Sequence, residues 1–151
     1  MKNLFILIAF TGLFSSAAGQ NTKPGQSSKP PKLSVSWGGY AQGNMNAEEF
    51  KKIVDSAISV KDEKGSKYPI TRFRINYIFL STYKDSESQM VKSVQDLRVF
   101  DFYDTPSLTE VWRASIRDNA KKGDTILINN IIVKLKNGKK TMAPEFKAGL
   151  Q

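Results

Sequence analysis

The chain reads as mainly β, built from stacked sheets with one clear helix. Two observations carry this. Apolar and polar side chains alternate in separate runs: Leu33, Val35, Trp37, then Phe73, Ile75, Tyr77, Phe79, then Ile131, Val133, Leu135. That period of two marks half-buried strands. Only one long stretch, Leu108, Val111, Trp112, Ser115, Ile116 and Ala120, follows a helical stripe instead. The chain contains no cysteine, so a packed core rather than disulfides must hold the fold.

Taken in order, Leu33–Trp37 is a strand ended by Gly38-Gly39. Asn46 is placed to cap a short helix, with Glu49 reaching back to complete a capping box. Phe50, Ile53 and Val54 give that helix an apolar side. Ala57–Val60 begins a second strand, and Lys61–Ser66 is a charged turn containing Gly65. Tyr68–Leu80 is the most strand-like run, with Arg72, Arg74 and Asn76 opposite its apolar face. Pro69 must lie at its start or on an edge, because it has no N–H for the ladder.

Ser81–Met90 is polar and poorly patterned, and is predicted to be a loop. Leu97–Phe102 is a short strand. Thr105-Pro-Ser107 opens the helix, with Ser107 and Glu110 as its capping box. Lys121 and Lys122 suit the negative end of that helix, and Gly123 the left-handed position that stops it. Thr125–Lys136 is a long strand whose inward phase changes at Asn129-Asn130, which predicts a bulge. Asn137-Gly138 is a type I′ hairpin signal. Lys139–Leu150 returns antiparallel, with Met142, Phe146, Ala148 and Leu150 inward and Pro144 near an edge.

The chain has 151 residues, which favours one domain once processed segments are set aside. Residues 1–19 resemble a secretory signal: Lys2, an apolar run from Leu4 to Phe14, then small residues with Ala17 and Gly19 before Gln20. Cleavage is expected over retention as an anchor, because the apolar run is short and polar residues follow. Residues 20–32, with three prolines and three lysines, form a flexible basic linker, and 33–151 form the folded domain. The expected location is periplasmic or extracellular. Without cysteine, a lipoprotein anchor is not expected.

The chain also lacks histidine, which excludes serine triads, cysteine–histidine dyads and ordinary zinc sites. A formal charge of +9 favours anionic partners such as lipid head groups, acidic glycans or acidic protein surfaces. It is equally compatible with a solvated surface that binds nothing.

The order of these pieces resembles the GldM C-terminal domain family, from the gliding-motility and type IX secretion protein of Bacteroidetes. The matching pieces are the strand into Gly38-Gly39, then Gly43, the acidic segment Asn46–Phe50 and the alternating strand Ile70–Leu80. Ala120-Lys-Lys-Gly-Asp124, Ile126–Val133 and Asn137-Gly-Lys139 follow in the same order. The resemblance covers about Leu33 to Leu150. It implies a periplasmic, immunoglobulin-like antiparallel β-sandwich with one or two short helices. It also implies a non-enzymatic role in protein–protein contact within the envelope, with no cofactor. The membrane helix and long shaft of that motor protein have no counterpart in this sequence, so a different partner is possible.

Several residues invite a site. Trp37 and Trp112 lie on apolar stripes and are expected in the core. Tyr40, after two glycines, is expected to be an exposed contact. Asp101, Asp104 and Glu110 lack the spacing of a calcium loop and read as solvated or capping carboxylates. Arg72 and Arg74 on one strand, Lys134 and Lys136 on another, and Lys139 and Lys140 at the turn would form one basic stripe if the strands are neighbours. That stripe binds a protein, or alternatively an anionic glycan or lipid head group; lysines on exposed strands also simply block edge aggregation. Nucleic acid is not an expected partner.

Overall fold

The computed structural model describes residues 31–151. The signal segment 1–19 and the linker as far as residue 30 lie outside the described residues. Nine strands and two helices follow in the order β1 (Leu33–Trp37), β2 (Gly43–Met45), α1 (Ala47–Ile53), β3 (Ile58–Asp62), β4 (Lys67–Tyr68), β5 (Ile70–Lys84), β6 (Val91–Tyr103), α2 (Glu110–Asn119), β7 (Thr125–Lys134), β8 (Lys140–Met142) and β9 (Phe146–Leu150). They form a β-sandwich. The small sheet runs β1-β3-β4, and the large sheet runs β2-β9-β7-β5-β6 with β8 beside β7. Pairing is antiparallel except for β2, which joins β9 in parallel.

The core lies where the alternation places it. Trp37 of β1 is fully buried and meets Phe146 of β9 edge to face at 6.1 Å, which joins the two sheets. Phe50 of α1 closes on the same indole at 5.2 Å. The Trp37 Nε1–H donates to the Ser56 carbonyl at 2.9 Å, so burial leaves no indole donor unpaired. Phe73, Ile75 and Tyr77 line the inner face of β5, and Ile126 and Ile128 that of β7. Asn130 has φ of 51°, and the β5–β7 register shifts beside it. The buried phase then passes to Ile131 and Val133, as the expected bulge requires.

Several local expectations are corrected. The loop expected over Ser81–Met90 shrinks to residues 85–90: β5 continues to Lys84, and β6 spans 13 residues rather than six. The turn between them is held by Asp85, whose carboxylate accepts from the Ser88 N–H and hydroxyl at 2.8 Å each and from Lys92 Nζ at 2.7 Å. These strand ends are exposed on both faces, so no alternation marked them.

The capping box of α2 does not form. The helix starts two residues later than expected for Ser107, with Thr109 as N-cap and no side-chain bond. Glu110 instead binds Arg113 and Arg117, each at 2.6 Å. Val111 points outward, 78% exposed, whereas Leu108, Ile116 and Ala120 of the same expected stripe are buried. At α1, Asn46 does accept from the Glu48 N–H at 2.8 Å, but no return bond from Glu49 is present among the described residues.

Gly123 has φ of +95° in the turn closed by the Asp124 N–H and the Lys121 carbonyl, four residues beyond the end of α2. Its left-handed conformation serves that turn and not the helix stop. The Asn137-Gly138 hairpin is not type I′, because only Gly138 has positive φ. The Gly138 N–H bonds to the Leu135 carbonyl and the Leu135 N–H to the Lys139 carbonyl. That is the three-residue loop, a type I turn with glycine in the bulge. Met142 is 67% exposed, and Ala143 takes the inward position, bonding its N–H to the Ile131 carbonyl. The break at 143–145 between β8 and β9 reverses the phase before Phe146. No described helix is long and apolar enough to cross a membrane.

Candidate interaction surface on the large sheet

The basic residues are brought together only in part. Arg72 and Arg74 project from the outer face of β5, opposite Tyr103 and Asp101 of β6. After the bulge, Ile132 and Lys134 share that outer face, and Lys134 pairs with Lys140 of β8. Lys136 and Lys139 lie in the turn beyond the strands, where Lys136 Nζ is 3.5 Å from the Ser66 hydroxyl.

Asp101 changes the electrostatics of this stripe. Arg74 grips it through two bonds, Nη2 at 2.7 Å and Nε at 3.1 Å, and Arg72 Nη2 adds a third at 3.3 Å. The Arg74 guanidinium, followed by Arg72, holds the Asp101 carboxyl below the usual range against the opposing effect of burial. Arg72 also lies over the Tyr103 ring at 5.5 Å. Both arginines are therefore engaged within the sheet. The four lysines are the part of the stripe with no carboxylate partner among the described salt bridges.

Tyr40 is exposed, and its backbone closes a bridge with Trp37 through two 2.9 Å bonds. It stands on the small sheet's β1 end, apart from the lysines on β7 and β8. Trp37 is core, whereas Trp112 is half-buried against Phe100 and Phe102 at 6.1 and 6.4 Å. Asp101, Asp104 and Glu110 do not converge. Among the described residues, no group of three or more acidic side chains could hold a metal ion.

Sequence reasoning missed the exposed apolar residues of β6. Along β6, Val91 is 71% and Leu97 59% exposed, and Val94, Val99 and Phe100 are exposed as well. Leu97 and Val99 lie opposite Ile78 and Asn76 on the outer face, next to Asp101. Val94 and Phe100 lie on the inner face, with Arg98 between them. Arg98 spans the Phe79 ring at 5.0 Å and donates to the Ser115 hydroxyl at 2.9 Å. Among the described residues β6 is the edge of the large sheet and pairs with β5 alone. The signal that could have exposed this was the run Val91, Val94, Leu97, Val99, Phe100, too dense in apolar residues for a loop and too irregular for a half-buried strand.

No family model and no curated protein matches the sequence of this chain.

Proposed function

We propose that this chain is an exported, non-enzymatic envelope domain that binds another protein through the β5–β6 hairpin. The observation that carries this reading is the exposed apolar pair Leu97 and Val99, neighbours on the outer face of β6 and 59% and 45% exposed. Neighbouring exposed apolar side chains on one strand face mark a surface that a partner covers. Export rests on the signal-like segment at residues 1–19. The resemblance to the GldM C-terminal domain family supplies the kind of partner, a component of the gliding or type IX secretion machinery.

A second reading is favoured by the lysine cluster. Lys134 and Lys140 stand directly opposite each other, with Lys136 and Lys139 in the adjoining turn. Like charges held together would welcome an anionic glycan or lipid head group.

A photo-crosslinking residue in place of Val99, used in cells and followed by mass spectrometry, tests the first reading. It should capture one envelope protein, in salt as well as in dilute buffer, while the same probe at Lys64 captures none. Capture that fades steeply with salt and depends on Lys134 and Lys140 supports the second reading and overturns the first.

A further inference from the structure

We infer that the open edge of β6 pairs with the β6 of a second copy of this chain, antiparallel, about a two-fold axis through Leu97. The inference rests on the reading that makes the β5–β6 hairpin a protein-binding surface, and it names one partner of that surface.

The backbone decides which groups are available. The Asp85 N–H donates to the Met90 carbonyl at one end of the hairpin, and the Asp104 N–H to the Thr71 carbonyl at the other. Both contacts continue the β5–β6 register, in which odd residues of β5 face even residues of β6. Even-numbered residues of β6 therefore turn their N–H and C=O toward β5. Val91, Ser93, Gln95, Leu97, Val99, Asp101 and Tyr103 turn theirs to the open edge. This row has no proline and no bulge, two of the devices that blunt an edge strand; Lys92, Asp96 and Arg98 supply a third, inward-pointing charge, which only a partner of complementary charge can meet.

The side chains select the occupant and its register. β6 runs from Val91 to Tyr103, so Leu97 is its midpoint, and a two-fold there overlaps all 13 residues. In that register Asp96 of each copy lies opposite Arg98 of the other, Val94 opposite Phe100, and Val91 opposite Tyr103. Lys92 lies opposite Phe102, and no like charges meet. Neighbouring registers are worse. Centring on Asp96 or Arg98 sets each against itself, and centring on Gln95 sets Lys92 against Arg98. Centring on Val99 breaks the Asp96–Arg98 pairing, setting Asp96 against Phe102 and Arg98 against Phe100. Opposite charges directly across an antiparallel pair stabilise it, and like charges oppose it.

A second feature agrees. Arg98, Val111, Trp112 and Ser115 line a cavity of about 130 Å³ at the same edge. Val94 of the second copy, opposite Phe100, would lie on the face that carries Trp112. It would enter this cavity and cover Val111, 78% exposed in the single chain. Two large sheets would then become one continuous sheet, with an α2 on either side of the axis.

The absence of cysteine makes the register directly testable in the purified chain. Cα atoms of a hydrogen-bonded antiparallel pair lie about 5.5 Å apart, within disulfide range. Leu97→Cys should therefore form a covalent dimer on mild oxidation. Gln95→Cys, on the same face, would be about 14 Å from its counterpart and should not. By sedimentation, Asp96→Arg or Arg98→Asp alone should weaken dimerisation about tenfold, and the double exchange should restore it. A chain that stays monomeric at all concentrations overturns the proposal. So does equal cross-linking at 95 and 97, or a double exchange that fails to rescue. These outcomes are independent of capture by Val99 in cells, so self-pairing can fail while the binding of another protein stands, and the reverse.

Discussion

Asp124 shows how one buried charge can be accommodated in a β-rich core. It is 1% exposed, yet it accepts from the Tyr77 hydroxyl at 2.8 Å, the Lys121 N–H at 3.0 Å and the Leu80 N–H at 3.4 Å. The carboxylate thus ties the centre of β5 to the turn before β7. Tyr77→Phe removes the shortest of these bonds from a buried carboxylate and should cost about 1.5–3 kcal/mol, measured by urea unfolding. Burial first, and the Asp124 carboxylate second, push the Tyr77 phenol well above its ordinary value of 10.0. The native state therefore keeps a proton that the unfolded chain releases. This contribution to stability is complete below pH 10 and falls as pH rises above it. Alkaline unfolding of the parent and of Tyr77→Phe should differ by that component.

Asp85 behaves in the opposite sense. Lys92, then the Ser88 N–H and hydroxyl, depress its carboxyl to about 2 from 3.8. Its contacts at the hairpin turn persist above the unfolded value and are lost as pH falls toward 2. Carboxyl-detected NMR should show Asp85 titrating near 2, with the amides of Ser88 and Lys92 shifting in step.

Turns and edges define the behaviour of the strands. Gly38 and Gly39 both have positive φ, at 55° and 88°. A Cβ at Gly38 would lie 2.6 Å from the Cβ of Ile53, whereas at Gly39 nothing lies within 4 Å. Gly39→Ala should cost about 1–2 kcal/mol for the left-handed backbone alone. Gly38→Ala adds the clash between β1 and α1 and should cost a further 1–3 kcal/mol or so. Thermal unfolding of the two variants checks the order. The ion pairs of α2 work differently. Arg117 binds both Asp55, just past α1, and Glu110 of its own helix, so it links the two helices across the surface. Exposed pairs of this kind contribute little to stability and mainly set orientation.

For the domain as a whole, the sandwich buries one side of the large sheet and, among the described residues, leaves its β6 edge unpaired. Replacing both Leu97 and Val99 by Ser removes apolar surface without touching the core. Each change should alter stability by less than about 0.5 kcal/mol, yet the pair should abolish partner capture. Exchange of Lys134 and Lys140 for Glu should leave capture intact. A pull-down from cells with these two double variants separates the apolar strand from the lysine cluster.

Much of this architecture could be read locally. Trp37, Phe73, Ile75 and Tyr77 alternate with polar neighbours, and Asn129-Asn130 announces the phase change, because strand burial repeats every two residues. Gly138 marks a hairpin, although neighbouring φ angles chose a three-residue loop over the tighter turn. What no local pattern could supply is the identity of each strand's neighbour. Only the folded sheet sets Asp101 between Arg72 and Arg74, which engages two of the six residues of the expected basic stripe. Only the fold leaves Val111 in solvent and gives β6, among the described residues, a single strand partner. Alternation is a property of one strand, legible in its own residues. Pairing order, and therefore which charges are compensated and which edge meets water, depends on residues dozens of positions apart that come together only on folding.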